Sequence, residues 1–176
     1  MARILVLGIG NVLMGDDALG SHVIKELEAR FTFPEEVTLI DAGTPGVDLT
    51  AYMAGHETLL VVDVVRAKGQ PGEFRYYDRA KLMEKAPMVA MSPHEPGLRE
   101  ALLTADFMGV APSEVKLIGV IPDVVDLGVR LSEPVRAALP RVIDEVVADL
   151  TAHGAAPTPR DPPAKPDLWW ETPRGM

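Results

Sequence analysis

Acidic side chains and one histidine follow, or interrupt, separate apolar segments of this sequence. Asp16 and Asp17 close the loop after the first apolar run, Asp41 ends a second run, and Asp63 stands inside a third. His94 lies in a later loop between two prolines. Because loops at the carboxyl ends of parallel strands form the ligand crevice of open α/β sheets, we expect these side chains to meet at one edge.

The surroundings of the aspartates indicate a cation, although each aspartate has a structural alternative. Asp63 interrupts the run Leu-Leu-Val-Val-Asp-Val-Val, and a charge in such a run needs a partner because its desolvation is unfavourable. It could instead accept backbone N–H bonds at a strand end. Asp16 and Asp17 could cap the following helix, yet two adjacent carboxylates repel each other unless a cation binds them.

Asp17, Asp63 and His94 together would form a carboxylate, carboxylate and imidazole ligand set with open positions for water or substrate. Oxygen and nitrogen donors without thiolate suit a divalent first-row ion such as nickel, and zinc fits nearly as well. Ligand chemistry therefore leaves the choice of metal open. The remaining histidines lack such a context and are interpreted as surface residues: His22, His56 and His153.

A dinucleotide-binding loop is the main competing motif. Gly8 and Gly10 follow a predicted strand, and the acidic Asp41 comes further along the chain. Leu13 stands where the third glycine belongs, and its bulk would obstruct close packing of a helix on the strand, so nucleotide binding is disfavoured. The sequence has no phosphate-binding Gly-Lys-Ser/Thr loop, and Ser92 lacks the Gly-x-Ser-x-Gly elbow of a hydrolase nucleophile.

Composition excludes several other classes of function. The absence of cysteine rules out disulfide scaffolds, zinc ribbons, iron–sulfur clusters and thiol nucleophiles. A formal net charge of -9 disfavours binding to nucleic acid or to an anionic membrane surface. The N-terminal residues show neither a signal-peptide cleavage site nor a membrane-length apolar run, which predicts a cytoplasmic protein.

The elements that would position these residues alternate between strands and helices. Apolar runs predict buried strands at 4–7, 37–41, 59–65 and 115–121, and residues 73–77 alternate as in an antiparallel edge strand. Helical periodicity occurs at 19–30, around 98–105 and at 132–150, where Pro140 should kink or split the helix. The sequence therefore predicts a single-domain α/β fold, with a doubly wound, mostly parallel twisted sheet of about five strands and helices on both faces.

The last part of the chain differs from the rest. Residues 153–176, called the tail below, contain six of the 16 prolines and both tryptophans, without helical or strand periodicity. This composition predicts either a disordered extension or a segment that docks through Trp169 and Trp170 on a partner or on its own body. We therefore divide the chain into a domain of residues 1–152 and a Pro-rich tail.

A series of short motifs runs in the same order as in one known family. The motifs are Leu5-Val6-Leu7-Gly8-Ile9-Gly10-Asn11 with Gly15-Asp16-Asp17, Asp41-Ala42-Gly43-Thr44-Pro45-Gly46, Val61-Val62-Asp63, Ser92-Pro93-His94 and Leu117-Ile118-Gly119-Val120-Ile121-Pro122. Each is weak alone, but in this order, from Arg3 to about Leu150, they resemble the NiFe-hydrogenase maturation endopeptidases. Ala18 and Ala42 depart from the family pattern, in which glycine is frequent at these places.

The resemblance implies a nickel-dependent endopeptidase that removes the C-terminal extension of the hydrogenase large-subunit precursor after nickel insertion. It implies Asp17, Asp63 and His94 as ligands of a nickel ion supplied by the precursor, a site that other divalent cations such as zinc or cadmium could also fill. Asp17 and Asp16 would be the catalytic, proton-handling residues beside a metal-polarised carbonyl or an activated water.

The same resemblance implies the partners and a binding surface. The large-subunit precursor is the expected partner, together with nickel-insertion chaperones, and neither nucleic acid nor a membrane is expected. Asp41, Gly43 and Thr44 would shape the substrate groove, and the edge strand around Phe74 and the loop after Ile121 could hold an extended peptide. Two alternative functions remain open, a general metallopeptidase and a non-enzymatic nickel-binding chaperone of hydrogenase assembly.

Overall fold

The structure, a computed structural model, describes residues 2–44, 49–84 and 95–172. The strands in these ranges are β1 (Ile4–Ile9), β2 (Phe31–Thr32), β3 (Val37–Gly43), β4 (Thr58–Val64), β5 (Phe74–Asp78), β6 (Glu114–Val120) and β7 (Thr158–Pro159). The helices are α1 (Leu19–Arg30), α2 (Leu49–Met53), α3 (Arg79–Met83), α4 (Glu95–Met108) and α5 (Glu133–Ala152), and a 3-10 turn at Gly15–Ala18 precedes α1.

One five-stranded sheet organises the chain, with the strand order β3-β1-β4-β6-β5. The first four of these strands are mutually parallel, and β5 pairs antiparallel with β6 at the edge. The central strands are buried on both faces, which explains why they are continuous apolar runs rather than alternating ones. The predicted fold class, including the antiparallel edge strand, is confirmed.

Helices cover both faces of the sheet, and strand periodicity decides which side chains each layer receives. On β1, Ile4 and Val6 face the layer that holds α1 and α5, whereas Leu5 and Leu7 face α2 and α4. Successive side chains of a strand point to opposite faces, so each apolar run supplies two cores at once. Among the described residues, no helix is both long and apolar enough to span a membrane.

The contact between β1 and α1 is close because both elements carry a glycine there. A Cβ atom added at Gly8 would lie 2.4 Å from the carbonyl oxygen of Gly20, and one added at Gly20 would lie 2.4 Å from that of Ile9. Gly20 thus allows the close packing of helix on strand for which the dinucleotide-binding motif would need a glycine at position 13. Leu13 lies before the helix in a loop, 51% exposed, so the prediction that it obstructs this packing is wrong.

Helix α5 runs without interruption from Glu133 to Ala152, so Pro140 does not split it, and the alternative that Pro140 kinks the helix stays a prediction. Pro140 lies on the exposed side of the helix, while Val135, Val142 and Val146 on the opposite side are fully buried. A proline within a helix costs about 3 kcal/mol. Burial of the apolar residues on both sides of it offsets that cost.

The tail, which the structure describes through residue 172, contacts the body from β7 to Trp170. Its strand β7 pairs antiparallel with β2, which follows α1. The backbone N–H of Ala164 donates to the carbonyl oxygen of Ala29 at 2.8 Å, and Trp170 is only 6% exposed. The tail therefore runs beside α1 and returns to the part of the molecule where that helix begins.

Candidate functional site

The loop between β1 and α1 turns back sharply on itself at Gly10. Gly10 has a φ of 149°, and a Cβ atom there would lie 1.7 Å from the carbonyl oxygen of Asp17. Only glycine accommodates both this backbone conformation and this approach. The N–H of Gly10 donates to the carbonyl oxygen of Gly43 at 2.9 Å, so the end of β3 is held beside the loop.

Asp17 is buried within this loop at 4% exposure. Its Oδ2 accepts a hydrogen bond from the backbone N–H of Asn11 at 2.9 Å. The 3-10 turn that carries Asp17 also lies against β4, the strand that carries Asp63. The carboxylate is thereby fixed near the carboxyl ends of β1 and β4, which together with the end of β3 form what we call the rim.

Asp63 lies on β4 opposite Gly119 of β6 and is 2% exposed. Its Oδ1 accepts the backbone N–H of Val64 at 2.8 Å, which is the kind of contact that the structural alternative predicted for it. The residue also occupies the rim, as predicted. Two buried carboxylates from distant parts of the sequence thus lie in the same region of the fold, where a cation would reduce their repulsion.

Asp16, next to Asp17, makes entirely different contacts. Its fully buried carboxylate accepts four hydrogen bonds of 2.7–2.9 Å, from the backbone N–H groups of Asp123, Val124 and Ser132 and from the Ser132 hydroxyl. It thereby ties the loop after β1 to the loop at 121–132. Ionised acceptors make the stronger hydrogen bonds of proteins, so this is a firm structural link.

The capping alternative for the two aspartates is wrong for the helix that follows them. Ala18, rather than either aspartate, is the N-cap of α1, and this residue makes no side-chain capping hydrogen bond. Asp16 instead contacts Ser132, the N-cap residue of α5, more than 100 residues further along the chain. The position of the aspartates in the sequence suggested that they cap α1, whereas Asp16 contacts the start of α5.

The predicted groove residues Asp41, Gly43 and Thr44 line one pocket of about 270 Å³ beside the loop after β1, called the Asp41 pocket below. Asp41 Oδ1 accepts hydrogen bonds from the Ser21 hydroxyl at 2.7 Å and from the Gly43 N–H at 3.2 Å. The carboxylate is therefore oriented by α1 and by the turn that ends β3. Ser21 and Trp169 also line the pocket, and the sequence interpretation had assigned neither to it.

His22 is buried, so the prediction that it is a surface residue is wrong. It is 4% exposed, and its ring meets that of Trp170 edge to face, with centroids 5.1 Å apart. Burial, assisted by the positive charge of Arg136, lowers the pKa of His22 to about 4. The imidazole is therefore neutral near pH 7, and its buried environment includes a contact with the tail that no pattern in α1 could indicate.

The third predicted metal ligand, His94, lies outside the described residues. Within the described ranges, no group of three potential metal-ligating side chains occurs. What these ranges do contain, two buried carboxylates at the rim and no thiolate, matches the hard oxygen donors of the predicted ligand set. The complete site stays a prediction.

Fold and rim together define a class of protein, a doubly wound α/β protein with an acidic site at the carboxyl ends of its central parallel strands. A family model for hydrogenase maturation proteases matches residues 21–149. The chain belongs to the hydrogenase maturation protease family, and the resemblance inferred from its motifs is confirmed. It is thus an endopeptidase in the hydrolase class.

Similar proteins agree with this assignment. The hydrogenase 2 maturation protease of Escherichia coli (strain K12) is 34% identical over 163 residues, covering 90% of this chain and 97% of the relative. HupD, a hydrogenase expression/formation protein of Rhizobium leguminosarum bv. viciae, is 35% identical over 159 residues, covering 90% and 79%. The solved structure of the E. coli hydrogenase maturating endopeptidase HybD superposes with a TM-score of 0.81 at 33% identity, covering 91% of this chain and 99% of that one.

Proposed function

We propose that this chain is a nickel-dependent endopeptidase that removes the C-terminal extension of a NiFe-hydrogenase large-subunit precursor after nickel insertion. The observation that carries the proposal is the pair of buried aspartates, Asp17 and Asp63, at the rim of a protein from the maturation protease family. In this proposal nickel is part of the substrate, since it arrives already bound to the precursor.

The metal-binding part of the proposal uses Asp17 and Asp63 with His94 as the third ligand. On β4 the neighbours Leu59 and Val61 pack in the same layer as α4, and Asp63 has the same parity along the strand. His94 directly precedes α4 in the sequence. Asp63 has the strand parity of the face that α4 covers, and His94 is the neighbour of α4 in the sequence, which supports the proposal that the two residues share a site.

Asp17, rather than Asp16, is the better candidate for handling protons during peptide hydrolysis. A general base or acid has to reach the attacking water or the leaving amine, and the carboxylate of Asp16 already accepts four hydrogen bonds from the loop at 121–132. We therefore assign Asp16, which the sequence predicts as catalytic together with Asp17, a positioning role. The substrate's nickel would polarise the scissile carbonyl or activate the water.

The Asp41 pocket is proposed to hold the precursor beside this centre. Its Asp41 carboxylate is oriented by Ser21 and Gly43, so it presents a fixed acceptor to a peptide. Fixed acceptors bind a substrate without first having to be ordered.

A cleavage assay on purified large-subunit precursor, with and without nickel, tests the proposal against its alternatives. We expect cleavage of the nickel-loaded precursor alone, with a product shortened at its C-terminus in mass spectrometry. Metal-independent digestion of unrelated proteins would favour a general metallopeptidase. Binding of the loaded precursor without any cut would favour a nickel-binding assembly chaperone. Added zinc or cadmium tests whether other divalent ions fill the site.

Substitutions at the three proposed ligands test the site itself. Asp17→Asn, Asp63→Asn and His94→Ala should each slow cleavage by at least about 100-fold. Loss of a metal ligand should have a larger effect than loss of a group that only orients such a ligand. Glu35→Gln is a suitable control because it also removes one carboxylate but lies exposed just before β3, at the opposite end of that strand from the rim. Retained processing by His94→Ala would remove that residue from the site.

A further inference from the structure

The tail supplies one wall of the Asp41 pocket. Trp169 lines this pocket together with Asp41, Gly43 and Thr44, although it follows Thr44 by well over 100 residues. Its side chain is 55% exposed, so roughly half of the indole is available for a ligand to cover. The pocket is therefore polar at Asp41 and aromatic at Trp169.

Anchors in the tail hold Trp169 at this place. The ring of Trp170 meets that of Trp169 nearly perpendicularly, with centroids 5.7 Å apart, and is itself buried against His22. Further upstream, β7 pairs with β2 and Ala164 donates to the backbone of Ala29. An aromatic side chain held in this way loses little conformational entropy when a ligand covers it.

We propose that Trp169, the only described tail residue that lines the Asp41 pocket, forms one wall of the substrate-binding groove and is a specificity-determining residue that contacts the precursor's peptide there. This inference rests on the proposed function. The pocket selects a peptide segment that presents apolar surface to the indole and hydrogen-bond donors to Asp41. Tryptophan is enriched among the residues that dominate binding energy, because its large face excludes water when covered.

Kinetics with the nickel-loaded large-subunit precursor test this inference. Trp169→Ala should raise KM about tenfold, equivalent to about 1.4 kcal/mol of binding energy, and leave kcat unchanged. Trp169→Phe keeps an aromatic face and should recover most of the affinity. Lys165→Ala, an exposed change elsewhere in the tail, should leave KM as it is. Trp170→Ala removes the anchor and should raise KM like Trp169→Ala.

The outcomes separate this inference from the proposed function. An unchanged KM in a folded Trp169→Ala variant overturns the inference alone, as does a lower KM, which would mean that the tail obstructs the pocket. If the wild type binds the precursor without cutting it, the proposed function fails, and the affinities of wild type and Trp169→Ala still decide the role of Trp169. If the wild type neither binds nor cuts the precursor, both fail.

Discussion

Two regions lie beside the rim and the Asp41 pocket, and different sets of contacts hold them. On one side, the buried carboxylate of Asp16 ties the loop after β1 to the loop at 121–132 with four hydrogen bonds. On the other side, the tail is held by the ring contact of Trp170 with His22, by the two-residue pairing of β7 with β2, and by hydrogen bonds from Arg160 and Ala164 to backbone carbonyls at the end of α1. The first region is held by a buried carboxylate, whereas most described tail residues are exposed.

The difference has consequences for how each region responds to change. Removing a buried acceptor leaves its donors without partners. The stability then falls by more than the net contribution of the hydrogen bonds, because the desolvation of the unpaired donors is no longer offset. A docked tail can detach while the domain stays folded, so a substitution there removes at most the free energy of docking. Loss of the Asp16 carboxylate should therefore destabilise the whole domain, whereas damage at the tail should release a segment.

The largest effect is expected from Asp16→Ala. Three backbone N–H groups and one hydroxyl lose their acceptor, so we expect the free energy of unfolding to fall by about 4 kcal/mol. Urea denaturation measures this. Asp126→Ala removes the same charge from an exposed position of the loop at 121–132 and should change stability by less than about 0.5 kcal/mol. Equal stabilities for the two variants would show that the hydrogen bonds to Asp16 contribute little to the free energy of unfolding.

Gly10→Ala should have the second-largest effect, and we expect the free energy of unfolding to fall by about 3 kcal/mol. The substitution combines an unfavourable backbone conformation with a Cβ atom 1.7 Å from the carbonyl oxygen of Asp17. Cleavage should also be impaired because Asp17 has to move. Gly55→Ala is the matched control: Gly55 has a φ of 81° but no described atom within 4 Å of the added Cβ, so only backbone strain of about 1 kcal/mol remains. Thermal unfolding together with the cleavage assay compares the two.

Trp170→Ala should destabilise the native state by about 2 kcal/mol, less than a core tryptophan would, because the tail can detach. Limited proteolysis should then cut the tail faster than in the wild type while residues 1–152 stay intact. Trp169→Ala, next in the chain but 55% exposed, should leave the proteolysis rate almost unchanged. Global unfolding of Trp170→Ala would contradict the distinction between the two regions.

The smallest effect concerns pH at the tail contact. The pKa of His22 is lowered to about 4 by burial and by Arg136, below its value of 6.5 in the unfolded chain. The unfolded state therefore binds more protons between these pH values, and His22's contribution to stability is present above pH 6.5 and is lost as the pH falls towards 4. The Glu171 carboxylate, 3.7 Å from His22, opposes this shift, so we expect a loss of only about 1 kcal/mol between pH 7 and pH 5.

The measurement for His22 is a difference between two proteins, because many carboxylates titrate over the same range. Unfolding of the wild type and of His22→Asn is compared at pH 7 and pH 5. The wild type should lose about 1 kcal/mol more than the variant on acidification. A parallel loss in both would mean that His22 does not titrate on unfolding in this range.

Much of the fold and part of the site could be predicted from the sequence. The apolar runs of β1, β4 and β6 and the alternating β5 gave the sheet, because a strand buried on both faces has to be continuously apolar. The same pattern placed Asp17 and Asp63 at the rim, since parallel strands end at one edge. The prediction that Asp41, Gly43 and Thr44 shape a groove agrees with their common pocket, although its role in substrate binding stays a prediction.

What the sequence alone determined about this protein is therefore its layering, its family and the acidic character of its rim, all of which follow from local periodicity and from motif order. Only the tertiary structure decided that Asp16 binds the loop at 121–132, that His22 is buried, and that Trp169 reaches the Asp41 pocket. These contacts join residues more than 100 positions apart in the chain, and which distant groups meet depends on how the elements pack rather than on any pattern within them.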